Sequence, residues 1–227
     1  MQLTGKKIVI TGGSGVLAQA VADQTRLSGA APVLLDIVFS DAVKSNFDSD
    51  DLKLVDLTDL AATTECFAEI GHADAVFNLA GGFAMGGMVH DITDDDWDFM
   101  FKINVTTMRN TIKAAVPAMQ ANGSGSIVNV GAFGAQHGQA AMSAYIASKS
   151  VVMRLTESLS EELKTQGINV NAVLPTVIDT PRNRADMPDA DPSQWVNPKD
   201  LANVICFLGS DAAKAVHGAL VPVTGLS

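Results

Sequence analysis

The chain has 227 residues, of which 47% are hydrophobic and 18% are charged, and its formal net charge is -10. This length suits one domain with a sizeable core, and the acidic balance argues against nucleic acid or an anionic membrane as a partner, because both bind basic surfaces. Because we find neither a leader-like start nor an apolar run of membrane-spanning length, we expect a cytoplasmic protein. Its two cysteines, Cys66 and Cys206, are expected to be buried free thiols.

The first predicted strand is the apolar, β-branched run at residues 7–10, which leads into a glycine-rich turn containing Gly12 and Gly15. Residues 16–27 then show the apolar spacing of a helix. In a strand–turn–helix unit of this kind, backbone N–H groups and the helix N-terminus attract a pyrophosphate. An ordinary tight turn between a strand and a helix is the alternative interpretation of the same pattern.

An acidic residue, Asp36, follows the second predicted strand at residues 33–35. It lies 24 positions after Gly12, close to the spacing at which a carboxylate hydrogen-bonds the adenosine ribose in dinucleotide folds. Because a carboxylate there would repel a 2′-phosphate, the sequence favours NAD(H) over NADP(H). The alternative role for Asp36 is to cap a turn or a helix.

The rest of the chain alternates between strand-like and helix-like segments. Further strands are predicted at residues 52–55, 75–80, 126–130, 168–174 and 219–223, and helices at about 59–70, 94–120, 144–166 and 200–208. This order predicts an α/β fold of the Rossmann type, with a doubly wound parallel sheet of about seven strands in a single domain over residues 1–227. Two segments are expected to cover the site: a flexible glycine-rich rim at 81–87 and a substrate lid around 181–197.

Tyr145 and Lys149 lie four positions apart in a long helix-compatible run with the sequence AYIASK. Side chains at this spacing stack on one face of a helix. A neighbouring ammonium favours the phenolate, so we expect Lys149 to lower the pKa of Tyr145 and to make the pair an acid/base device. On its own the spacing also fits a half-buried tyrosine beside a solvated lysine.

An ordered set of motifs resembles the short-chain dehydrogenase/reductase family over essentially the whole chain. The matching motifs are TGGSG at 11–15, Asp36, DL at 56–57, NLAGG at 78–82, Asn104 within KINV, GSIVNV at 125–130, YIASK at 145–149 and PTVIDT at 175–180. The resemblance implies that Tyr145 is the general acid/base and that Lys149 holds the nicotinamide ribose. It also implies that Asn104 positions a water that links Lys149 to solvent.

The same resemblance implies a bound NAD cofactor, with NADH preferred over NADPH, and no metal. It assigns Asp36 to the adenosine ribose, Asp56 and Leu57 to the adenine, and Val177 and Thr180 to the nicotinamide carboxamide. The full set of implied cofactor-binding residues is Thr11, Gly12, Ser14, Gly15, Val16, Leu17, Asp36, Asp56, Leu57, Asn78, Ala80, Gly81, Tyr145, Lys149, Pro175, Val177 and Thr180.

One family residue is missing. The family usually has a serine thirteen residues before the tyrosine, where it hydrogen-bonds the substrate oxygen, and this chain has Ala132 there. Loss of one such bond corresponds to roughly one or two decades in rate. Ser143, Gln136 and His137 are the candidate replacement donors, although Ser143 also fits a helix-start residue and His137 a solvated loop residue.

The dihydropteridine reductase branch of the family resembles this chain at the missing serine, at AGGFAMGG (80–87) and over 173–195. Two enzymatic functions therefore stay open: hydride transfer to a small carbonyl or secondary alcohol, and reduction of a quinonoid pterin. Phe83, Met85 and Trp195 are candidate linings for a small apolar substrate, and each also fits the core. A function of another class is an NAD(H)-binding sensor or scaffold without turnover.

The helices near 94–120 and 144–166 are long and carry apolar residues on more than one side. Such helices are either enclosed in the core or paired with another subunit. The family resemblance implies a homodimer or homotetramer formed through them.

Overall fold

The protein is built around one parallel sheet, and the computed structural model describes residues 3–227. The strands of the sheet are β1 (Lys7–Thr11), β2 (Ala31–Asp36), β3 (Leu52–Leu54), β4 (Ala75–Asn78), β5 (Gly125–Val130), β6 (Ile168–Pro175) and β7 (Leu220–Val223). Their spatial order is β3-β2-β1-β4-β5-β6-β7, and each neighbouring pair is parallel. The predicted doubly wound sheet of about seven strands is confirmed.

Helices occupy the crossover connections that parallel strands require. The α-helices are α1 (Val16–Leu27), α2 (Asp41–Asn46), α3 (Leu60–Ile70), α4 (Asp94–Phe101), α5 (Thr107–Asn122), α6 (Ser143–Leu163), α7 (Pro181–Asp186) and α8 (Pro198–Leu208). None of the helices within residues 3–227 combines the length and the apolar character needed to cross a membrane.

The core lies on both faces of the sheet because successive side chains of a strand point to opposite sides. In β1, Ile8 and Ile10 join the cluster that α1 and α8 complete, whereas Val9 joins the cluster that α3 and α5 complete. Cys66 and Cys206 are buried free thiols, one in each cluster. Both faces are therefore closed, and polar side chains are left to gather at the strand ends.

The helix predicted over 94–120 is interrupted. α4 ends at Phe101, a π-helical turn covers Lys102–Thr106, and α5 continues to Asn122. Asn104 lies within this π-helical turn. Wide turns of this kind are uncommon and often occur at functional sites, because they shift the direction of one side chain relative to the regular helix.

Short elements account for the other differences. α2 was not predicted, because six residues are too few to show a period; its N-cap is Ser40, whose Oγ accepts from the Val43 N–H. The segment at 181–197 is not a plain loop, since it begins with α7 and contains a 3-10 turn at Pro192–Gln194.

The order of the strands reverses direction between β1 and β4, which lie side by side at the centre of the sheet. In open α/β sheets the carboxyl ends of the strands on either side of such a point form a crevice that binds ligands. The functional side chains should therefore be found just after β1, β2, β4 and β5.

Candidate active site

The turn between β1 and α1 requires glycine at two positions. Gly12 is left-handed, with a φ of 70°, and a Cβ on Gly13 would lie 2.7 Å from the Cβ of Leu34. The N-cap of α1 is Gly15, which has no side chain, so the first N–H groups of the helix are left to an external acceptor. This turn fits the pyrophosphate of a dinucleotide.

The segment after β4 is fastened to this turn. The N–H groups of Leu79 and Ala80 both donate to Thr11 Oγ1 at 3.0 Å, and a Cβ on Gly12 would lie only 3.0 Å from the Ala80 Cα. Asn78, at the end of β4, donates to Asn129 Oδ1 at 2.8 Å, while its own buried Oδ1 has no partner among residues 3–227. The backbone after β1 and after β4 thus forms one continuous surface.

Asp36 holds the end of β2 against the glycine turn. Its Oδ2 accepts from the Ser14 N–H at 2.8 Å, and its Oδ1 accepts from the Ile37 N–H at 2.7 Å. The side chain therefore has the capping role that the sequence left open. It also stands beside the phosphate-binding turn, where a carboxylate can reach a ribose, because each oxygen has a further acceptor site.

The residues that the resemblance assigns to the adenine follow β3. Asp56 Oδ1 accepts from the N–H and the hydroxyl of Thr58 at 2.9 and 2.7 Å, and these hydrogen bonds hold the pKa of Asp56 below its ordinary value. Asn110 on α5 is buried and donates to the carbonyls of Leu57 and Thr58 at 2.9 and 3.1 Å. Asn110 is not among the residues predicted from the sequence. The one sequence feature that could have indicated its role is an amide on the inward face of an amphipathic helix.

The Tyr145 and Lys149 side chains are carried by α6, as predicted. Tyr145 is half-buried, and Lys149 is only 7% exposed. Lys149 Nζ donates to the carbonyl of Val130, the last residue of β5, at 2.8 Å, and a Cβ on Gly81 would lie 3.4 Å from the same nitrogen. The lysine therefore reaches the carboxyl ends of β4 and β5.

Burial governs the pKa of both side chains. Desolvation raises the pKa of Tyr145 to about 12 and lowers the pKa of Lys149 to about 8. The pKa of Tyr145 is thus raised and not lowered as expected, because burial takes the phenolate out of water. At neutral pH the phenol is protonated, and the lysine is mostly charged.

Asn104 fastens the glycine-rich segment to α6. Its Oδ1 accepts from the Gly82 N–H at 3.0 Å, and its Nδ2 donates to the Gly82 carbonyl and to Ser148 Oγ, each at 3.1 Å. Ser148 Oγ in turn donates to the Tyr145 carbonyl at 2.8 Å. Asn104 thus lies beside the tyrosine and lysine pair and links the Gly82 backbone to Ser148 on α6. The water relay stays a prediction.

The three residues that could replace the hydrogen-bond donor of the missing serine have different environments. Ala132 is buried, and His137 is an exposed loop residue. Gln136 donates to the Phe133 carbonyl and lines a groove with Arg154. Arg154 lies nine residues after Tyr145, on the opposite side of α6. Gln136 is therefore bonded within its own loop, and its role as a replacement donor stays a prediction.

Ser143 begins α6 and lines a pocket with Asp96 and Met100, but its Oγ is buried without a partner in the described part of the chain. The hydroxyl is therefore closed off from solvent, and a substrate would reach it only after a local rearrangement. No hydroxyl stands at the usual serine position, because that residue is Ala132.

The aromatic candidates have different environments. The Phe83 ring packs edge-on against Tyr145, with ring centroids 4.9 Å apart and an angle of 81° between the planes. Trp195, predicted as a possible substrate contact, is only 9% exposed and belongs to the core. Its neighbour Val196 donates its N–H to the Val177 carbonyl at 2.8 Å, which draws this part of the chain inward.

The residues that the resemblance assigns to the nicotinamide follow β6. Pro175 is buried at the end of the strand, and Val177 and Thr180 are partly exposed beyond it. Thr180 Oγ1 caps α7 by accepting from the Asn183 N–H at 3.1 Å. The predicted cofactor-binding residues thus follow β1 to β4 and β6, or lie on α6, along one edge of the sheet.

Similarity to known proteins identifies the family of this chain. The sequence model of the family described as short chain dehydrogenase matches residues 6–191. The chain is 30% identical over 250 residues to 2-(S)-hydroxypropyl-CoM dehydrogenase 3 of Xanthobacter autotrophicus, covering 99% of this chain and 97% of that protein. A carveol dehydrogenase from Mycobacterium avium, solved with NAD, is 26% identical with a TM-score of 0.89, covering 99% of this chain and 98% of that one.

A further solved structure, from Agrobacterium tumefaciens, is provisionally named a 2-deoxy-d-gluconate 3-dehydrogenase and contains NADP. It is 30% identical with a TM-score of 0.89, and the match covers 99% of this chain and 96% of that one. Because the family match spans most of the chain and the full-length relatives share its sheet, this protein is a member of the short chain dehydrogenase family of oxidoreductases.

Proposed function

We propose that this protein is an NAD(H)-dependent oxidoreductase that interconverts a small carbonyl compound and the corresponding secondary alcohol, with Tyr145 as the general acid/base. One observation carries the proposal: α6 presents Tyr145 one turn from Lys149, whose buried ammonium reaches the edge of the sheet beside Gly81. A nicotinamide cofactor fits this edge and supplies or accepts the hydride when bound.

Tyr145, Lys149 and Asn104 would each have a different role in this reaction. Tyr145 is protonated at neutral pH because burial raises its pKa to about 12, so it can give a proton to the substrate oxygen during reduction. The charge on Lys149 stabilises the phenolate that this transfer leaves. Asn104 keeps Gly82 and Ser148 in place around the pair, and the proposed water relay would pass through this region.

The cofactor assignment rests on charge at the end of β2. A 2′-phosphate needs a cation, yet residues 12–17 and 36–40 contain neither lysine nor arginine, and Asp36 is anionic. We therefore expect NADH to bind at least about tenfold more tightly than NADPH, which corresponds to about 1.4 kcal/mol of repulsion. Nucleotide fluorescence titrations measure both affinities.

Asp36→Asn should reduce this preference, and Asp41→Asn, which neutralises an exposed acid on the nearby α2, should leave it unchanged. Tighter binding of NADPH by the natural protein would contradict the assignment. Solved relatives contain either NAD or NADP, so the family alone does not choose between them.

The activity is tested by NADH oxidation with a panel of ketones and aldehydes, alongside quinonoid dihydropteridine. Turnover of a panel carbonyl that is lost in Tyr145→Phe supports the proposal. Fast pterin reduction without carbonyl turnover would favour the alternative function, reduction of a quinonoid pterin. The apolar Ala132 and the aromatic Phe83 are compatible with that function. A protein that binds NADH but oxidises it with none of these acceptors would be a sensor or scaffold.

Assembly is proposed through α4, α5 and α6. Two large side chains on α4, Trp97 and Phe99, are 37% and 54% exposed in the isolated chain, as expected for a surface that pairs with a second subunit. Light scattering should give the mass of a dimer or tetramer, and a monomeric mass would contradict this. The cytoplasmic location, the single domain over 1–227 and the lid role of 181–197 stay predictions.

A further inference from the structure

Phe83 is the first side chain after two glycines that follow β4, and it contacts the proposed catalytic tyrosine directly. Its ring meets Tyr145 edge-on at a centroid distance of 4.9 Å, yet 51% of the residue stays exposed. An aromatic ring in this position covers one side of the tyrosine and leaves its own surface open. Phe83 therefore offers an open apolar surface next to Tyr145.

The backbone is hydrogen-bonded on both sides of Phe83. Gly82 both donates to and accepts from the Asn104 amide. Gly86 donates its N–H to the Ala141 carbonyl at 2.8 Å, and Ala141 itself has a left-handed φ of 60°. A non-glycine residue keeps that conformation only where surrounding contacts enforce it. The segment predicted to be a flexible rim is thus tied at Gly82 and Gly86, and its Phe83 ring forms an aromatic wall beside Tyr145.

The surroundings of Tyr145 offer little to a polar substrate. The usual serine is replaced by Ala132, which belongs to an apolar cluster against which Met142 and Tyr145 pack. Ser143 Oγ is closed off from solvent, and Gln136 is bonded within its own loop. A substrate with several hydroxyl groups would leave them unpaired here, whereas an apolar ring would bury its surface against Phe83.

We infer that Phe83 determines substrate specificity: it selects carbonyl compounds that carry an apolar or aromatic ring next to the reacting carbon over polyhydroxylated ones. The ring of such a substrate packs on the open surface of Phe83 while its oxygen reaches Tyr145. This inference rests on the proposed carbonyl chemistry and adds the substrate class. Orientation by this wall takes the place of the hydrogen bond that a serine at position 132 would supply.

The test compares acetophenone, butanone and dihydroxyacetone as acceptors for NADH with the natural protein, Phe83→Ala, Phe83→Tyr and Phe207→Ala. Phe207 is an exposed ring on α8 and serves as the matched control. We expect acetophenone to be the best of the three acceptors. Phe83→Ala should weaken the apparent affinity for acetophenone by raising its KM about five- to tenfold, the range expected for a lost aromatic contact, and should leave the value for butanone within about twofold.

Rescue distinguishes a substrate contact from a general defect. Phe83→Tyr keeps the ring and should restore the natural KM for acetophenone, while NADH affinity should be unchanged in every variant. Equal KM changes for acetophenone and butanone, or no change for either, would overturn the role of Phe83. A natural protein that reduces dihydroxyacetone fastest would keep the carbonyl chemistry and overturn only this inference. Failure with every panel carbonyl would overturn both.

Discussion

Tyr145→Phe is expected to abolish turnover, with a fall in kcat of at least about 10²- to 10⁴-fold, the range typical of a lost general acid. The substitution removes one hydroxyl and keeps the ring that packs against Phe83 and the cluster around Ala132. The fold and NADH affinity should therefore be nearly unchanged. Single-turnover NADH oxidation and a fluorescence titration of NADH measure the two quantities.

Normal turnover by Tyr145→Phe would show that the proposed mechanism is wrong. A second measurement is available because Tyr145 is the only tyrosine in the chain, so tyrosinate absorbance reports this residue alone. Without cofactor, its pKa of about 12 predicts that the phenol stays protonated well above the ordinary midpoint of 10. Titration near or below 10 in the folded protein would show that Lys149 outweighs burial after all.

Lys149→Met should have two opposite effects: a loss of activity and a gain in stability. Activity should fall by about 10²-fold or more, because no charge then stabilises the phenolate. The stability change follows from the pKa, which burial lowers from 10.5 to about 8. Below pH 8 both the folded and the unfolded chain hold the proton, so the folded state carries the full cost of a buried ammonium.

Between pH 8 and 10.5 the folded protein releases this proton while the unfolded chain keeps it, so the stability of the natural protein rises with pH and the cost disappears. At pH 7, without cofactor, the variant should therefore be more stable by about 1–2 kcal/mol, after allowance for the lost hydrogen bond to Val130. That advantage should shrink as the pH rises through this window.

Urea unfolding of the two proteins at pH 7 to 10 measures the difference directly. Lys214→Met, which removes an exposed lysine, is the matched control and should show no such pH-dependent gain. A variant that is less stable than the natural protein at pH 7 would contradict a costly buried ammonium. Confirmation would identify Lys149 as a residue whose presence lowers stability and is explained by its place in the site.

Local spacing was enough to predict most of the fold. Glycines at 12 and 15 after a β-branched run, with Asp36 after the next, located the first strand–turn–helix–strand unit correctly. Each is a short-range pattern, because buried parallel strands are continuous apolar runs and tight turns require glycine. α2 and the π-helical turn were missed, because elements of five or six residues are too short to show a period.

The site was only partly predictable. Tyr145 and Lys149 could be paired from the sequence because four residues of helix place them on one face. The contact between Phe83 and Tyr145 joins residues 62 positions apart, and that between Asn110 and Leu57 joins residues 53 positions apart. No local pattern encodes such contacts.

The sequence by itself therefore determined the order of strands and helices, the glycine turn after β1 and the spacing of the proposed catalytic pair, since these depend on residues that are close together in the chain. Tertiary structure alone decided that Trp195 belongs to the core and that the pKa of the tyrosine is raised. Burial decides both, because it depends on which distant segments pack together.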